Sequence, residues 1–324
     1  MFSYLLRRLL YAVPIVFGVM LLTFVLFFVL QSPETMARNV LGKRATPASM
    51  ANWLHERGYD KPRFINTQPG AKLHDSIFVH ELAKLATFDL GVSDVTKESL
   101  GEKFRAGAIP SLLLTVPAML VALCMSVGLA LYQVFVRHSI LDTAGSLLCV
   151  ALMSVPPMAY IIAGQAVLAL ELNYFPAFGF EMNGWGTLRF LLLPVSLMVI
   201  MHLGSDVRLY RAIFLEEIAQ DYVRTARAKG VPNARLLLTH VLKNGMIALI
   251  TLVVAHLPLL VMGSLLIENF FGVPGLGNLL VVALQTSDFA TVRASVFLGS
   301  LLYIAGLTLT DICYAIADPR IRLS

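Results

Sequence analysis

The sequence predicts an all-α integral membrane protein with six membrane-spanning helices, and three observations carry that expectation. Of 324 residues, 57% are apolar and only 14% are charged, against roughly 45–50% and about 25% in an average soluble domain. The mean hydropathy of +0.76 describes the whole chain rather than one segment. Six separate runs also read as membrane-crossing helices, which need about 20 residues to cross about 30 Å of hydrocarbon with the backbone satisfying its own hydrogen bonds, the fourth of them being short at its apolar core. The same composition excludes disorder, a collagen-like fibre and a disulfide scaffold, and it speaks against a soluble two-domain enzyme. Cys124, Cys149 and Cys313 all sit in apolar runs without a C-x-x-C pair, so neither a disulfide framework nor a zinc site is supported.

The first run, about Leu9–Leu30, follows Arg7-Arg8. A signal peptide has the same polarity, but its apolar stretch is about 7–15 residues and ends at small residues. This run is longer and meets Gln31-Ser32-Pro33-Glu34, which favours a retained helix. The remaining spans are expected at about Ile109–Val136, Thr143–Leu170, Phe190–Leu203, Met246–Ile267 and Ala294–Ala317. Pro14, Pro117, Pro156-Pro157, Pro194 and Pro258 lie inside them, and kinks are the expected result.

Four segments follow from this pattern: an N-terminal helix (1–30), an extramembrane insert (31–108), a five-helix core (109–317) containing a polar segment (204–244), and a tail (318–324). The insert carries eleven Lys/Arg and nine Asp/Glu and reads as a small ordered subdomain. Basic residues in short loops set orientation. The N-terminus, the turn at Arg137, the 204–244 segment and the tail hold 12 Lys/Arg, whereas the opposite short loops hold only Arg189 and Arg293. Both termini are therefore expected in the cytoplasm and the insert outside. The net charge of +5 then reports topology and attraction to anionic lipid, and nucleic acid is not invoked.

In the 204–244 segment, Val207, Tyr210, Phe214, Ile218 and Tyr222 recur at three- and four-residue spacing, which predicts an amphipathic helix stopping at Gly230, with Pro232 beyond. Asn233 is the expected N-cap of a second helix leading into the fifth span. Such a hairpin suits docking of a soluble partner, and a basic helix lying on the lipid surface is the competing reading.

The stretch Gln220-Asp221-Tyr222-Val223-Arg224-Thr225-Ala226-Arg227-Ala228-Lys229-Gly230 resembles the EAA motif of binding-protein-dependent ABC importer permeases, in the form used by the dipeptide/oligopeptide branch. Arg224 and Thr225 depart from the general E-A-A-x-x-x-G pattern, while Y-V-R-T-A-R-A-K-G is common in this branch. Further markers run through most of the chain: Arg7-Arg8, Tyr59-Asp60-Lys61-Pro62, Phe88-Asp89-Leu90-Gly91, Ile109-Pro110-Ser111, Ser154-Val155-Pro156, Glu268 with Phe271, Pro274-Gly275-Leu276-Gly277, and Asp318-Pro319-Arg320-Ile321-Arg322. Two places differ from the branch. Met246-Ile247-Ala248 replaces its A-L-L-P, which leaves the bend into the fifth span open, and Ser32-Pro33-Glu34 replaces its G-D-P, which leaves the organisation of the insert open.

The resemblance implies a type I ABC importer permease fold in a bacterial inner membrane. It also implies a second homologous permease, two cytoplasmic ABC ATPase domains and an extracytoplasmic peptide-binding protein. The segment Asp221–Gly230 would sit in a groove of the ATPase, with Gly230 making the tight turn, Ala226 allowing close approach, and Arg224, Arg227 and Lys229 meeting the polar surface of the partner. The sequence has no G-x-x-x-x-G-K-[ST], so no P-loop is expected here; ATP and Mg would belong to the partner subunits, and this chain would bind no cofactor.

Other chemistries are weakly supported. His80-Glu81 lacks the second histidine of H-E-x-x-H, and Ser154 and Ser264 lack recognisable His/Asp partners. His202 and His256 lie at or within apolar spans, where structural hydrogen bonding is favoured over proton relay. An ion-coupled secondary transporter is the alternative function, and an intramembrane enzyme a third. Gly272, Pro274, Gly275 and Gly277 form a Gly/Pro cluster that reads equally as an outer gate or as a surface loop.

Overall fold

In a computed structural model, residues 2–42, 45–66, 72 and 74–317 are described; the Asp318–Arg322 marker and the tail lie outside them. Among the described residues there is no β-strand, only an isolated bridge between Val92 and Ser99. The chain forms two compact units, Met1–Ile109 with Gly275–Ala305 and Pro110–Pro274 with Gly306–Ser324.

The first unit opens with α1 (Phe2–Phe24), which continues through a π-helical turn, Val25–Leu30, and matches the first predicted span. The insert then folds as three short helices: α2 (Pro33–Leu41), α3 (Pro47–Arg57) and α4 (Ile77–Ala86). Their starts are local chemistry. Ser32 and Thr46 accept hydrogen bonds from Thr35 and Ser49 backbone N–H groups, with a proline at the first helical position each time, where its missing N–H costs nothing. The Ser32-Pro33-Glu34 departure is thus a helix start. The Ser32 hydroxyl, followed by the backbone N–H, lowers the Glu34 carboxyl from its ordinary range.

Phe24, Phe28, Met36, Trp53, Tyr59 and Ile77 form the core of this unit, joined by Phe289. Phe289 begins α14 (Phe289–Ala317), the last helix, which follows α13 (Leu276–Gln285). Buried polar contacts fasten the insert to this corner. Asp288 accepts hydrogen bonds from the Ser93 hydroxyl, the Asp94 N–H (2.9 Å) and the Thr291 hydroxyl (2.7 Å). Asp94 in turn accepts from the Ala290 N–H and from Arg57 Nε, each at 2.9 Å. Burial works to raise the Asp288 carboxyl, but these donors together outweigh it and hold the group below the ordinary carboxylate range. Burial pushes the Tyr59 hydroxyl upward despite the opposing charge of Arg293, to which it is hydrogen-bonded at 2.7 Å.

The second unit contains most of α5 (Leu100–Phe135), then α6 (Ile140–Ser154), α7 (Pro157–Gly164) continued by a π-helical stretch, Gln165–Glu171, and α8 (Trp185–Ile218). After α8 come α9 (Asp221–Ala228), α10 (Asn233–Leu236), a π-helical turn over Leu237–Val241, α11 (Leu242–Met262) and α12 (Leu265–Phe271). Among the described residues, five helices are long and apolar enough to cross a membrane, and counting bent pairs raises this to as many as seven.

Three sequence expectations change here. The third span is not one rod: α6 and the α7 stretch meet at 89°. Pro156-Pro157 removes two N–H donors, and proline disfavours helical backbone at the preceding residue, which holds Val155 extended (φ −87°, ψ 124°). The fourth span does not end near Leu203. With no breaker before Ile218, α8 continues for 34 residues, about 51 Å at the helical rise and far more than the hydrocarbon thickness. The fifth span stops at Met262 rather than Ile267, because Gly263 adopts φ +73° and the chain turns there. The 268–293 connection is largely helical, as α12, α13 and the first turn of α14.

Lipid supplies no hydrophobic drive between helices, so close contact of small residues holds them together. A Cβ on Gly204 would lie 2.7 Å from the Cys149 carbonyl oxygen, and one on Gly164 would lie 2.8 Å from Leu197. These two glycines let α6 and α7 pack directly on α8.

Candidate functional site

The Asp221–Gly230 segment folds as one short helix set between two long ones. Its predicted helix does not run unbroken from Val207 to Gly230: α8 ends at Ile218, Gln220 is extended (φ −69°, ψ 152°), and α9 starts afresh at Asp221. Asn233 is also not the cap expected of it. Pro232, whose ring fixes φ near the −63° observed, holds that position, and Asn233 is the first helical residue.

The end of α9 is a Schellman motif. The Val231 N–H donates to the Ala226 carbonyl at 3.2 Å and the Gly230 N–H donates to the Arg227 carbonyl at 3.0 Å. Gly230 sits at φ +79° with nothing within 4 Å of where a Cβ would stand. Backbone conformation, not crowding, is therefore what asks for glycine at this position.

Val223 and Ala226, three residues apart, are buried in the same core as Val207, Tyr210, Phe214 and Leu237. Asp221, Tyr222, Arg224, Thr225, Arg227, Ala228 and Lys229 are exposed. One narrow apolar edge thus fixes α9 to α8 and the π-turn before α11, and the exposed residues of the segment are largely polar, with three cations against one anion. The only ion pair on it among the described residues, Arg224 with Asp221 at 3.4 Å, is almost wholly in solvent and of a kind contributing about 0–1 kcal/mol. Tyr222 donates its hydroxyl to Glu217 at 2.5 Å. Burial, followed by that carboxylate, pushes its pKa up to about 12. A cavity of about 340 Å³ beside α9 is bordered by Arg137, Ile218, Arg227 and Asn233.

One supporting contact was not anticipated. Arg211 donates to both carboxylate oxygens of Asp142, at 2.8 and 2.9 Å, and Asp142 is almost fully buried. Asp142 also accepts from the His138 N–H at 3.2 Å, so the short turn after α5 is tied to the C-terminal half of α8. The available signal was the Ser139-x-x-Asp142 spacing, in which Ser139 caps α6.

The Gly/Pro cluster divides between the two units. In the second, Gly272 ends α12 in the left-handed region (φ +69°), and a Cβ there would lie 2.4 Å from the Phe178 ring. The Gly179 N–H donates to the Phe271 carbonyl at 2.8 Å, and Gln165 Nε2 donates to the Phe270 carbonyl at 2.9 Å, so the aromatic 171–189 connection closes over α12. Pro274 is exposed. In the first unit, Gly275 is the N-cap of α13, Gly277 is buried within it, and Gly107 packs against Leu276. Glu268, noted in the sequence only as a marker, is completely buried; its carboxylate accepts from the Ser111 hydroxyl at 2.7 Å and from the Ser264 N–H at 3.1 Å. A Cβ on Gly263 would collide with that carboxylate. His256 Nδ1 lies 2.7 Å from the Leu252 carbonyl, a bond within its own helix.

Comparison with known proteins completes the description. Residues 108–323 match the family described as binding-protein-dependent transport system inner membrane component, and residues 1–85 match the N-terminal region of such membrane components. A protein of Brucella abortus (strain 2308) named as a peptide transport system permease is 31% identical over 99% of each chain. Glutathione transport system permease proteins of Pectobacterium atrosepticum and Salmonella typhimurium are 31% and 29% identical, again over 99% of both chains. The chain therefore belongs to the binding-protein-dependent transport system inner membrane components: it is an inner-membrane permease subunit of an ABC importer that works with a binding protein and ATPase components.

Proposed function

We propose that the chain carries peptides or peptide-like solutes across the inner membrane, and that α9 transmits ATPase closure to its spans. The observation that carries the coupling role is the construction of α9: a short helix with an exposed basic surface, anchored by Val223 and Ala226 and joined at both ends to long helices. Such a helix delivers a push on its outer face to α8 through Gln220 and to α11 through the Gly230 turn. The peptide class rests on the names of the relatives. In this reading both termini and α9 are cytoplasmic and the insert is outside. A second homologous permease completes the pore, and two ATPase domains hold the ATP and Mg. Gly272, Pro274, Gly275 and Gly277 lie at the outer end of the path as a gate.

The test is copurification with the ATPase subunits together with peptide uptake in membranes. Gly230→Asp introduces a side chain in left-handed backbone and a negative charge on the docking surface, and it should abolish association or uptake while leaving membrane insertion intact. Normal uptake by that variant would overturn the coupling role.

A further inference from the structure

Within the first unit, α1, α3, α4 and α14 surround a half-open cavity of about 500 Å³, a size within the roughly 300–1,000 Å³ of small-ligand sites. Its inner end is apolar and aromatic, with Phe24, Phe28 and Tyr59 all buried. The buried charges there are matched: Arg57 pairs with Asp94 at 2.9 Å, and Arg293 faces Glu81 at 3.3 Å while donating to Tyr59. Arg293 lies 4.8 Å above the Phe28 ring and Arg57 lies 4.1 Å above Trp53.

The rim is different. Glu56 and Asp89 are exposed carboxylates and Lys97 is an exposed ammonium, all lining the opening without an ion pair among the described residues; Asp89 accepts the Gly91 N–H at 3.0 Å, and Lys84 makes only a loose contact with Glu81 at 3.7 Å. Two anions and two cations without a tight counter-charge among the described residues, set around an aromatic floor, match a ligand that carries both charges on an apolar body. A purely anionic or purely cationic ligand would meet like charge on half of this rim.

We infer that this cavity is a binding site for a zwitterion, with an ammonium group received by Glu56 and Asp89, a carboxylate or phosphate received by Lys97 and Lys84, and an apolar portion over Phe24 and Phe78. A short unblocked peptide and an ethanolamine phospholipid headgroup both present that chemistry. The site is separate from α9, so it stands or falls apart from the coupling reading.

Trp53 provides the readout. The chain has two tryptophans, and Trp185→Phe leaves Trp53, beneath Arg57, as the sole reporter. The full chain carrying this change is placed in phosphatidylglycerol nanodiscs and titrated with the dipeptide Ala-Phe and with its N-acetylated, C-amidated form. Ala-Phe should change the fluorescence saturably, and the doubly blocked form should bind at least about tenfold more weakly. Glu56→Gln and Lys97→Gln, both at exposed positions outside the buried pairs, should each weaken binding by about tenfold, the loss of one charged contact. A signal already saturated in phosphatidylethanolamine nanodiscs, and released by Glu56→Gln, assigns the site to the lipid headgroup. The inference is overturned if neither ligand source gives a saturable change, if the blocked peptide binds as well as the free one, or if the two variants bind unchanged.

Discussion

The insert corner and the α9 helix use charge in opposite ways. Around Asp94 and Asp288 the charged groups are buried, and each carboxylate accepts several well-placed donors. On α9 the charged groups are exposed and almost unpaired. Matched buried charges leave nothing for a partner and serve to hold segments together. Unmatched exposed ones contribute little to the fold and are available to a surface that is not part of this chain. Mutations should therefore separate the two regions, with stability lost from one and assembly from the other.

The largest effect is expected for Asp94→Ala, which strips Arg57 and the Ala290 N–H of a shared acceptor. Breaking a buried pair on one side costs about 3–5 kcal/mol, so thermal unfolding of the purified complex should shift well below the parent. An unchanged transition would mean that the corner is not a fastening. Asp288→Asn should come next and adds a pH signature. The folded carboxyl is held below its ordinary value, so its contribution is full above the ordinary carboxylate range and is lost as pH falls through the lower folded value. The melting difference between parent and variant should be constant from neutral pH down to about pH 5 and should shrink only in stronger acid.

On the α9 side the effects on stability are smaller. Gly230→Ala places a side chain in left-handed backbone at a cost of about 1–2 kcal/mol, and because the space around it is empty, Gly230→Asn should recover most of the loss. If Asn proves as damaging as Ala in uptake assays, crowding by a partner rather than backbone conformation governs that site. Arg224→Ala with Arg227→Ala should change stability by no more than about 0.5 kcal/mol yet weaken ATPase association. Equal association at low and moderate salt would argue against an electrostatic contact.

What the sequence made legible follows the range of the interactions. Apolar runs are written in neighbouring residues, and most of the spans follow them; the Ser32-Pro33 and Thr46-Pro47 helix starts are equally local but were not read as such. Prolines were harder to read. Pro110 and Pro117 stay inside α5 and Pro194 inside α8, whereas Pro156-Pro157 breaks its span, because two consecutive donors are lost and Val155 is forced extended. The Gly230 turn was recognisable from Lys-Gly-Val-Pro, but the stop at Gln220 carries no strong breaker and was invisible. The Asp94–Asp288 and Tyr59–Arg293 contacts join residues 194 and 234 positions apart, and no local pattern records them.

The right-angled elbow at Pro156 constrains how the importer sits among its lipids. At this bend Tyr160 reaches back to occupy the Leu152 carbonyl at 2.8 Å, while Ser154 through Met158 lie open on the surface of the isolated chain. Non-helical backbone facing acyl chains would leave polar groups unmet at several kcal/mol apiece. The elbow must therefore be roofed by another polypeptide or bathed by water, and any assembly drawn with that corner pointing into oil is mis-rotated.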